Sequence, residues 1–138
     1  MEETQNTAVT GPGVHPQRIL LVEDDDRLAG VYEMRLQAEG FTTKRVANGE
    51  EALSTTLQVM PDLILLDVMM PKVSGFDVLD ILRNTPETKE IKIIMLTALS
   101  QDSDKERAAS LGADDYLIKS QVVIADVVDR IKFHLGLS

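Results

Sequence analysis

The chain has 138 residues, enough for one domain of the usual ~100 to 200 residues and a short tail. Its 23 acidic and 14 basic residues give a formal charge of -9 at pH 7, which phosphate backbones and anionic membranes repel, so direct nucleic-acid or membrane binding is excluded as the domain's own activity. Without cysteine there is no disulfide framework or thiolate metal site, and no apolar run approaches the ~18 residues of a membrane span, so a soluble cytoplasmic protein is expected.

Residues 1–17 show no hydrophobic period and contain Gly11, Pro12, Gly13 and Pro16; a disordered tail is expected there and a folded domain over 18–138. From Arg18 onward short apolar runs alternate with amphipathic stretches, the pattern of an α/β fold with a parallel sheet covered on both faces. Ile19–Val22 opens the series, followed by a helix with Leu28, Val31, Tyr32 and Leu36 on one stripe, Asp26 as N-cap and Gly40 as stop. Thr42–Val46 is a weaker strand, and Asn48 caps a second helix running through Leu57 before Pro61. Leu63–Leu66 precedes a helix opened by Ser74 that buries Val78, Leu79 and Leu82. Ile91–Leu96 leads to a mostly charged helix over 101–111 that offers only Ala108, Ala109 and Leu111 to the core and should be the most loosely held. Tyr116–Ile118 is the last strand. The final helix should start near Ser120 and bury Ile124, Val128, Ile131 and Leu135, with Phe133 about 180° from that stripe and therefore exposed.

Polar residues follow four of these five runs: Glu23 and Asp24, then Asp67, Thr97 and Lys119. In a parallel sheet these ends share one edge, where open α/β sheets bind ligands. Carboxylates crowded together raise one another's pKa unless a cation lies among them, and an oxygen-only donor set favours Mg²⁺. Lys119 then offers a point charge, and Thr97 a hydroxyl, to phosphate oxygens. Asp67 follows a central strand and is the best-placed nucleophile for an aspartyl phosphate. An acidic run such as Glu23 to Asp26 is more often a solvated helix start, and Thr97 or Lys119 alone would be ordinary; it is their conjunction at four strand ends that carries the reading. An EF-hand is excluded, because Leu28 and Ala29 stand where an oxygen ligand and Gly belong. Neither His15, in the tail, nor His134, near a helix end, is a catalytic candidate.

Ile19–Asp25, Leu65–Pro71 with Gly75, Leu96-Thr97-Ala98 and Gly112–Lys119 together closely resemble the receiver domain of bacterial response regulators. The resemblance implies a doubly wound, flavodoxin-like (βα)5 fold with strand order 2-1-3-4-5. It further implies that Asp67 takes a phosphoryl group from a sensor histidine kinase or phosphotransfer protein, the domain catalysing its own phosphorylation and dephosphorylation. Mg²⁺, or Mn²⁺ in its place, would be held by Asp24, Asp67, the backbone carbonyl of Met69 and, through water, Glu23. Thr97 and Tyr116 match the family's switch pair, and Ala98 leaves room for the phosphoryl group. The surface of the fourth helix, fifth strand and fifth helix would address a downstream protein effector. Arg107, Asp115, Asp126 and Arg130 there resemble the pairs through which one subfamily forms homodimers, with Phe133 as an apolar contact, although such surface pairs are worth only ~0 to 1 kcal/mol each.

The sequence departs from the family at Ser120, where proline in a cis peptide is usual; a trans Lys119–Ser120 bond is expected, with Lys119 still within reach of Asp67. Met69 and Leu99 flank the site and cannot orient an attacking water, which predicts a long-lived phosphorylated state. Only Gly136-Leu137-Ser138 follow the fifth helix, so the chain is expected either to act alone by docking to partners or to be an excised receiver. The competing reading is a Mg²⁺-dependent phosphohydrolase with Asp24 as nucleophile and Asp26 as acid–base; a pseudo-receiver that only binds is disfavoured by the intact acid set.

Overall fold

The computed structural model describes residues 16–137, so the predicted disordered tail lies outside the described residues apart from Pro16 and Gln17, which lead into the first strand. Five strands, β1 (Arg18–Val22), β2 (Thr42–Val46), β3 (Leu63–Leu66), β4 (Lys92–Thr97) and β5 (Asp115–Ile118), pair in parallel in the order β2-β1-β3-β4-β5. Between and after them run α1 (Asp26–Ala38), α2 (Gly49–Val59), α3 (Gly75–Arg83), α4 (Asp102–Leu111) and α5 (Ile124–Leu135).

Successive side chains on a strand point to opposite faces, so each central strand feeds two cores. Leu20, Val22, Ile64, Leu66, Ile93 and Met95 pack against Val78, Leu79, Leu82 and Ala108 from α3 and α4. Ile19, Leu21, Leu63, Leu65, Ile94 and Leu96 pack against Tyr32 and Leu36 of α1 and Val127, Val128 and Ile131 of α5. Burial on both faces explains why these strands read as continuous apolar runs. Among the described residues no helix is long and apolar enough to cross a membrane.

Helix ends follow side-chain chemistry. Asn48 and Ser74 cap α2 and α3 as expected, accepting from the Glu51 and Asp77 amides. For α1 the cap is Asp25, not Asp26: the Asp25 carboxylate accepts from Leu28 N at 3.1 Å, while Asp26 is the first helical residue. Gly40 ends that segment with φ 97, a left-handed conformation suited to glycine. The second helix continues to Val59, two residues beyond Leu57, and Met60 closes it at φ 46. In α4 Ala108 is buried and Leu111 half-buried, but Ala109 is exposed, because it lies a third of a turn from that stripe. The last helix starts at Ile124, not near Ser120: Lys119–Gln121 form a single 3₁₀ turn, Val122 and Val123 are extended, and the Asp126 carboxylate then accepts from Val123 N at 3.0 Å. Val127 is fully buried there, whereas Ile124 and Leu135 only flank the core. Phe133 is exposed as its position requires.

Candidate functional site

Parallel pairing carries the C-terminal ends of all five strands to one edge. Glu23 and Asp24 leave β1, Asp67 leaves β3, Thr97 closes β4 and Lys119 leaves β5. Lys119 Nζ bridges two of the acids, 2.8 Å from Glu23 Oε1 and 2.9 Å from Asp67 Oδ2. Carboxylate oxygens of Glu23, Asp24 and Asp67 lie within 4.8 Å of one another. Glu23 and Asp67 are 3% and 5% exposed, whereas Asp24 faces solvent. Among the described residues no peptide bond is cis, so the Lys119–Ser120 bond is trans, and the lysine still reaches Asp67.

Burial alone would lower the Lys119 pKa, but its hydrogen bonds to Glu23 and Asp67 outweigh that and raise it, keeping the ammonium charged. Burial pushes the Glu23 carboxyl up despite the opposing hydrogen bonds from Lys119 and the Asp25 amide. With every group ionised, three carboxylates and one ammonium leave two net negative charges. That balance and the all-oxygen donor set fit a divalent hard cation, with Asp24 as its open side.

Backbone packing sets where Asp67 sits. Its amide donates to Val22 O at 3.2 Å, and its Oδ1 accepts from Met69 N at 3.1 Å, which holds the Met69 backbone beside the carboxylate. Gly75, the first residue of α3, packs against the same segment: a Cβ there would collide with the Asp67 carbonyl oxygen and with Val68 Cα. An open groove of about 500 Å³ runs beside Asp24, walled by Val68, Met69, Met70, Pro71 and Ser74. A second hollow, about 230 Å³, lies at the opposite end of the strands, around Arg18, Thr42 and Lys44, and holds none of the acid set.

The family of response regulator receiver domains matches residues 19–132, nearly the whole described chain. The chain belongs to this family. The receiver is 33% identical over 121 residues to the polar-differentiation response regulator DivK of Brucella anthropi, covering 88% of this chain and 98% of the relative. It is 41% identical over 102 residues to the phosphate regulon transcriptional regulatory protein PhoB of Rhizobium meliloti, covering 74% of this chain and 45% of the relative. It spans less than half the length of that relative and of the next three curated ones. A solved structure from Chloroflexus aurantiacus, described as that of a response regulator, superposes with a TM-score of 0.82 at 36% identity, covering 88% of this chain and 98% of the other.

The other expected site residues fall into two groups. Thr97 is fully buried and Ala98 exposed; Leu99 N donates to Thr97 Oγ1 at 3.4 Å, and the Tyr116 hydroxyl donates to Leu99 O at 2.9 Å. Burial, helped by the charges of Asp104 and Asp67, pushes the Tyr116 hydroxyl up to about 12, so it remains a donor near neutrality. Phe133 and the four charged residues of the expected dimer face lie outside the acid set, and those four are engaged within the chain. Arg130 Nε meets Asp115 Oδ2 at 2.6 Å, Asp126 caps α5, and the Arg107 guanidinium lies 4.3 Å from the Phe76 ring centre. Phe133, 64% exposed, carries the Arg130 guanidinium at 4.7 Å.

Sequence reasoning missed the contacts of three basic residues, His134, Arg83 and Arg45. His134 Nε2 lies 2.9 Å from Asp115 Oδ2, so this histidine belongs to the Asp115 cluster. Arg83 ties α3 to the segment before β5, donating to Gly112 O at 2.8 Å and meeting Asp114 at 2.9 Å. Arg45 reaches from β2 to Glu23 O and Asp26. Its signal was faint: in β2 the half-buried positions are Thr43 and Arg45, where an apolar pair would be ordinary.

Proposed function

We propose that Asp67 accepts a phosphoryl group from the phosphohistidine of a sensor kinase or phosphotransfer protein, in a Mg²⁺-dependent reaction that the receiver itself catalyses. An Asp67 carboxylate oxygen attacks phosphorus, the P–N bond to the donor imidazole breaks, and an acyl phosphate forms. The observation that carries this reading is the Lys119 ammonium held between Asp67 and Glu23, with Asp24 within 4.8 Å. Asp24, Asp67, the Met69 carbonyl and, through water, Glu23 would hold Mg²⁺, or Mn²⁺ in its place. When bound, the ion neutralises charge on the transferring phosphoryl oxygens.

Lys119 stays within reach of the same oxygens and orients Asp67 before transfer. Thr97 supplies a hydroxyl for a phosphoryl oxygen, Ala98 gives it room, and Tyr116 follows through Leu99. The result is read by a protein effector, or by a second copy of the chain, on the surface of α4, β5 and α5. Met69 and Leu99 leave no polar side chain to orient a hydrolytic water, which supports a long-lived acyl phosphate. The net charge of -9 supports a cytoplasmic signalling role through protein partners and not through direct contact with nucleic acid or membrane. Intact mass after incubation with acetyl phosphate and Mg²⁺ tests the central claim: the wild type gains one phosphoryl group and Asp67→Ala gains none. Equal labelling of both proteins would overturn it.

A further inference from the structure

We infer that Arg45 is a positioning residue for the metal site, fixing the Glu23–Asp24 peptide so that the Asp24 carboxylate faces the ion. The inference rests on the proposed function, because it is the metal reading that gives Asp24 its task.

The three acids are held unequally. Asp67 is fixed by Lys119 and by Met69 N, and Glu23 by Lys119 and by Asp25 N at 3.1 Å. The Asp24 side chain is exposed and makes no hydrogen bond to another described residue. What aims it is therefore its backbone, which fixes the Cα–Cβ direction from which the carboxylate reaches.

On the N-terminal side that backbone is clamped by Arg45. Nε and Nη2 both donate to Glu23 O, at 2.9 and 2.6 Å, and Nη1 meets Asp26 Oδ1 at 2.8 Å. On the C-terminal side Asp25 is already committed to capping α1. Asp24 is thus the one free carboxylate in a turn pinned on both flanks. The Asp26 carboxylate is 91% exposed and its ion pair is solvent-screened, while the Arg45 side chain is only 20% exposed, so the two bonds to the carbonyl do the holding. A planar guanidinium can make that fork; a lysine ammonium is a point charge on a flexible stem and cannot.

Charge and geometry make opposite predictions. Arg45 is a cation near a cation site, so if only its charge mattered, removing it would tighten Mg²⁺ binding. If it positions Asp24, removing it weakens binding. The test is a Mg²⁺ titration of the wild type, Arg45→Lys, Arg45→Met and Asp26→Asn, following the metal-dependent rise in Tm beside the metal-free Tm. Both Arg45 variants are expected to weaken Mg²⁺ affinity by roughly tenfold, the low end for groups that orient metal ligands. Asp26→Asn keeps the carbonyl fork and stays near wild type.

Because Arg45 does not touch the phosphoryl group, acetyl phosphate labelling of both variants should recover at saturating Mg²⁺. Unchanged or tighter Mg²⁺ binding in Arg45→Lys, or a labelling defect that persists at saturating Mg²⁺, would overturn the inference. Should Arg45→Met fail to fold, Arg45→Lys decides the matter, since it retains the charge and the stem. A wild type that binds no Mg²⁺ would instead overturn the metal reading, and the positioning role with it.

Discussion

Replacing Lys119 by Met removes the cation from the acid set while keeping an unbranched stem. Two unit charges 4 Å apart interact by about 4 kcal/mol at an effective dielectric of 20. Lys119 makes two such attractions, at 2.8 and 2.9 Å, offset by the mutual repulsion of Glu23 and Asp67 and by desolvation. Removing one side of a buried ion pair costs about 3 to 5 kcal/mol. The Lys119 side chain is 24% exposed and Glu23, already pushed up by burial, can take a proton, so the low end, about 3 kcal/mol, is expected. For a domain of this size that lowers the metal-free Tm by about 12 °C, at ~4 °C per kcal/mol.

Two features separate this account from general damage, and thermal melts with and without Mg²⁺ across pH read both. The folded-state pKa of Glu23 is raised, so the folded state binds more protons and stability falls as pH rises through that pKa. Lys119→Met raises it further, and the defect should be largest near neutrality and shrink in acid. Mg²⁺ should also raise the Tm of the variant more than that of the wild type, because no internal ammonium then competes for Glu23 and Asp67. A metal-free Tm at neutral pH within about 3 °C of wild type, together with an equal response to Mg²⁺, would refute the reasoning.

Gly75→Ala drives a methyl into the Asp67 carbonyl and Val68 Cα; urea titration should show a loss of about 1 to 3 kcal/mol, and acetyl phosphate labelling should slow. Wild-type values for both would contradict the packing. Asp115 is lowered from 3.8, burial being outweighed by hydrogen bonds from His134, Arg130 and the Tyr116 amide. A lowered folded-state pKa gives stability that is present above the unfolded pKa and lost as pH falls through the folded one. Asp115→Asn should therefore cost about 1 to 2 kcal/mol at neutral pH, a value discounted for the partly exposed Arg130, and flatten the acid limb of the stability curve. Parallel curves for the two proteins would count against it. Tyr116→Phe removes one hydroxyl bond to Leu99 O and should cost about 1 kcal/mol or less by thermal melts; a larger loss would mean that the ring itself had moved.

The sheet was legible because its central strands are buried on both faces, as the short all-apolar run Leu63–Leu66 shows. The acid set was legible for a related reason: parallel strands must end together, so Glu23, Asp24, Asp67, Thr97 and Lys119 converge whatever the loops do. Less visible was what depends on local competition. Asp25 and Asp26 are chemically equal candidates for the α1 cap; in the fold Asp25 takes the Leu28 amide while Asp26 meets Arg45, a contact 19 residues away in sequence. The start of α5 was placed too early because Lys119–Gln121 take a tighter turn that carries Lys119 back toward Asp67. Carboxylate crowding alone calls for a cation among the three acids, and Lys119 already supplies one of the three charges. It neutralises one charge and leaves two, which makes the case for a divalent ion narrower and firmer than carboxylate crowding alone.

The same bookkeeping of bonds locates the part of the structure with least to lose from movement. Helix α4 has no side-chain N-cap, and it buries only Ala108. Its C-terminal end is anchored, since Arg83 donates to Gly112 O and meets Asp114. Its N-terminal end hangs from residues 98–101, where Leu99 is the shared partner: its amide donates to Thr97 and its carbonyl accepts from Tyr116. The Thr97 contact, at 3.4 Å, is long, so a new partner for the Thr97 hydroxyl at the acid edge has little to displace. On the proposed function, a change at Thr97 would pass to Leu99, then to Tyr116 and the start of α4, while Arg83 holds the far end in place. On that reading, motion would pivot about the Arg83 anchor, and the start of α4 and the half-buried strand β5, and not the α3 side, would be where a partner senses the state of Asp67.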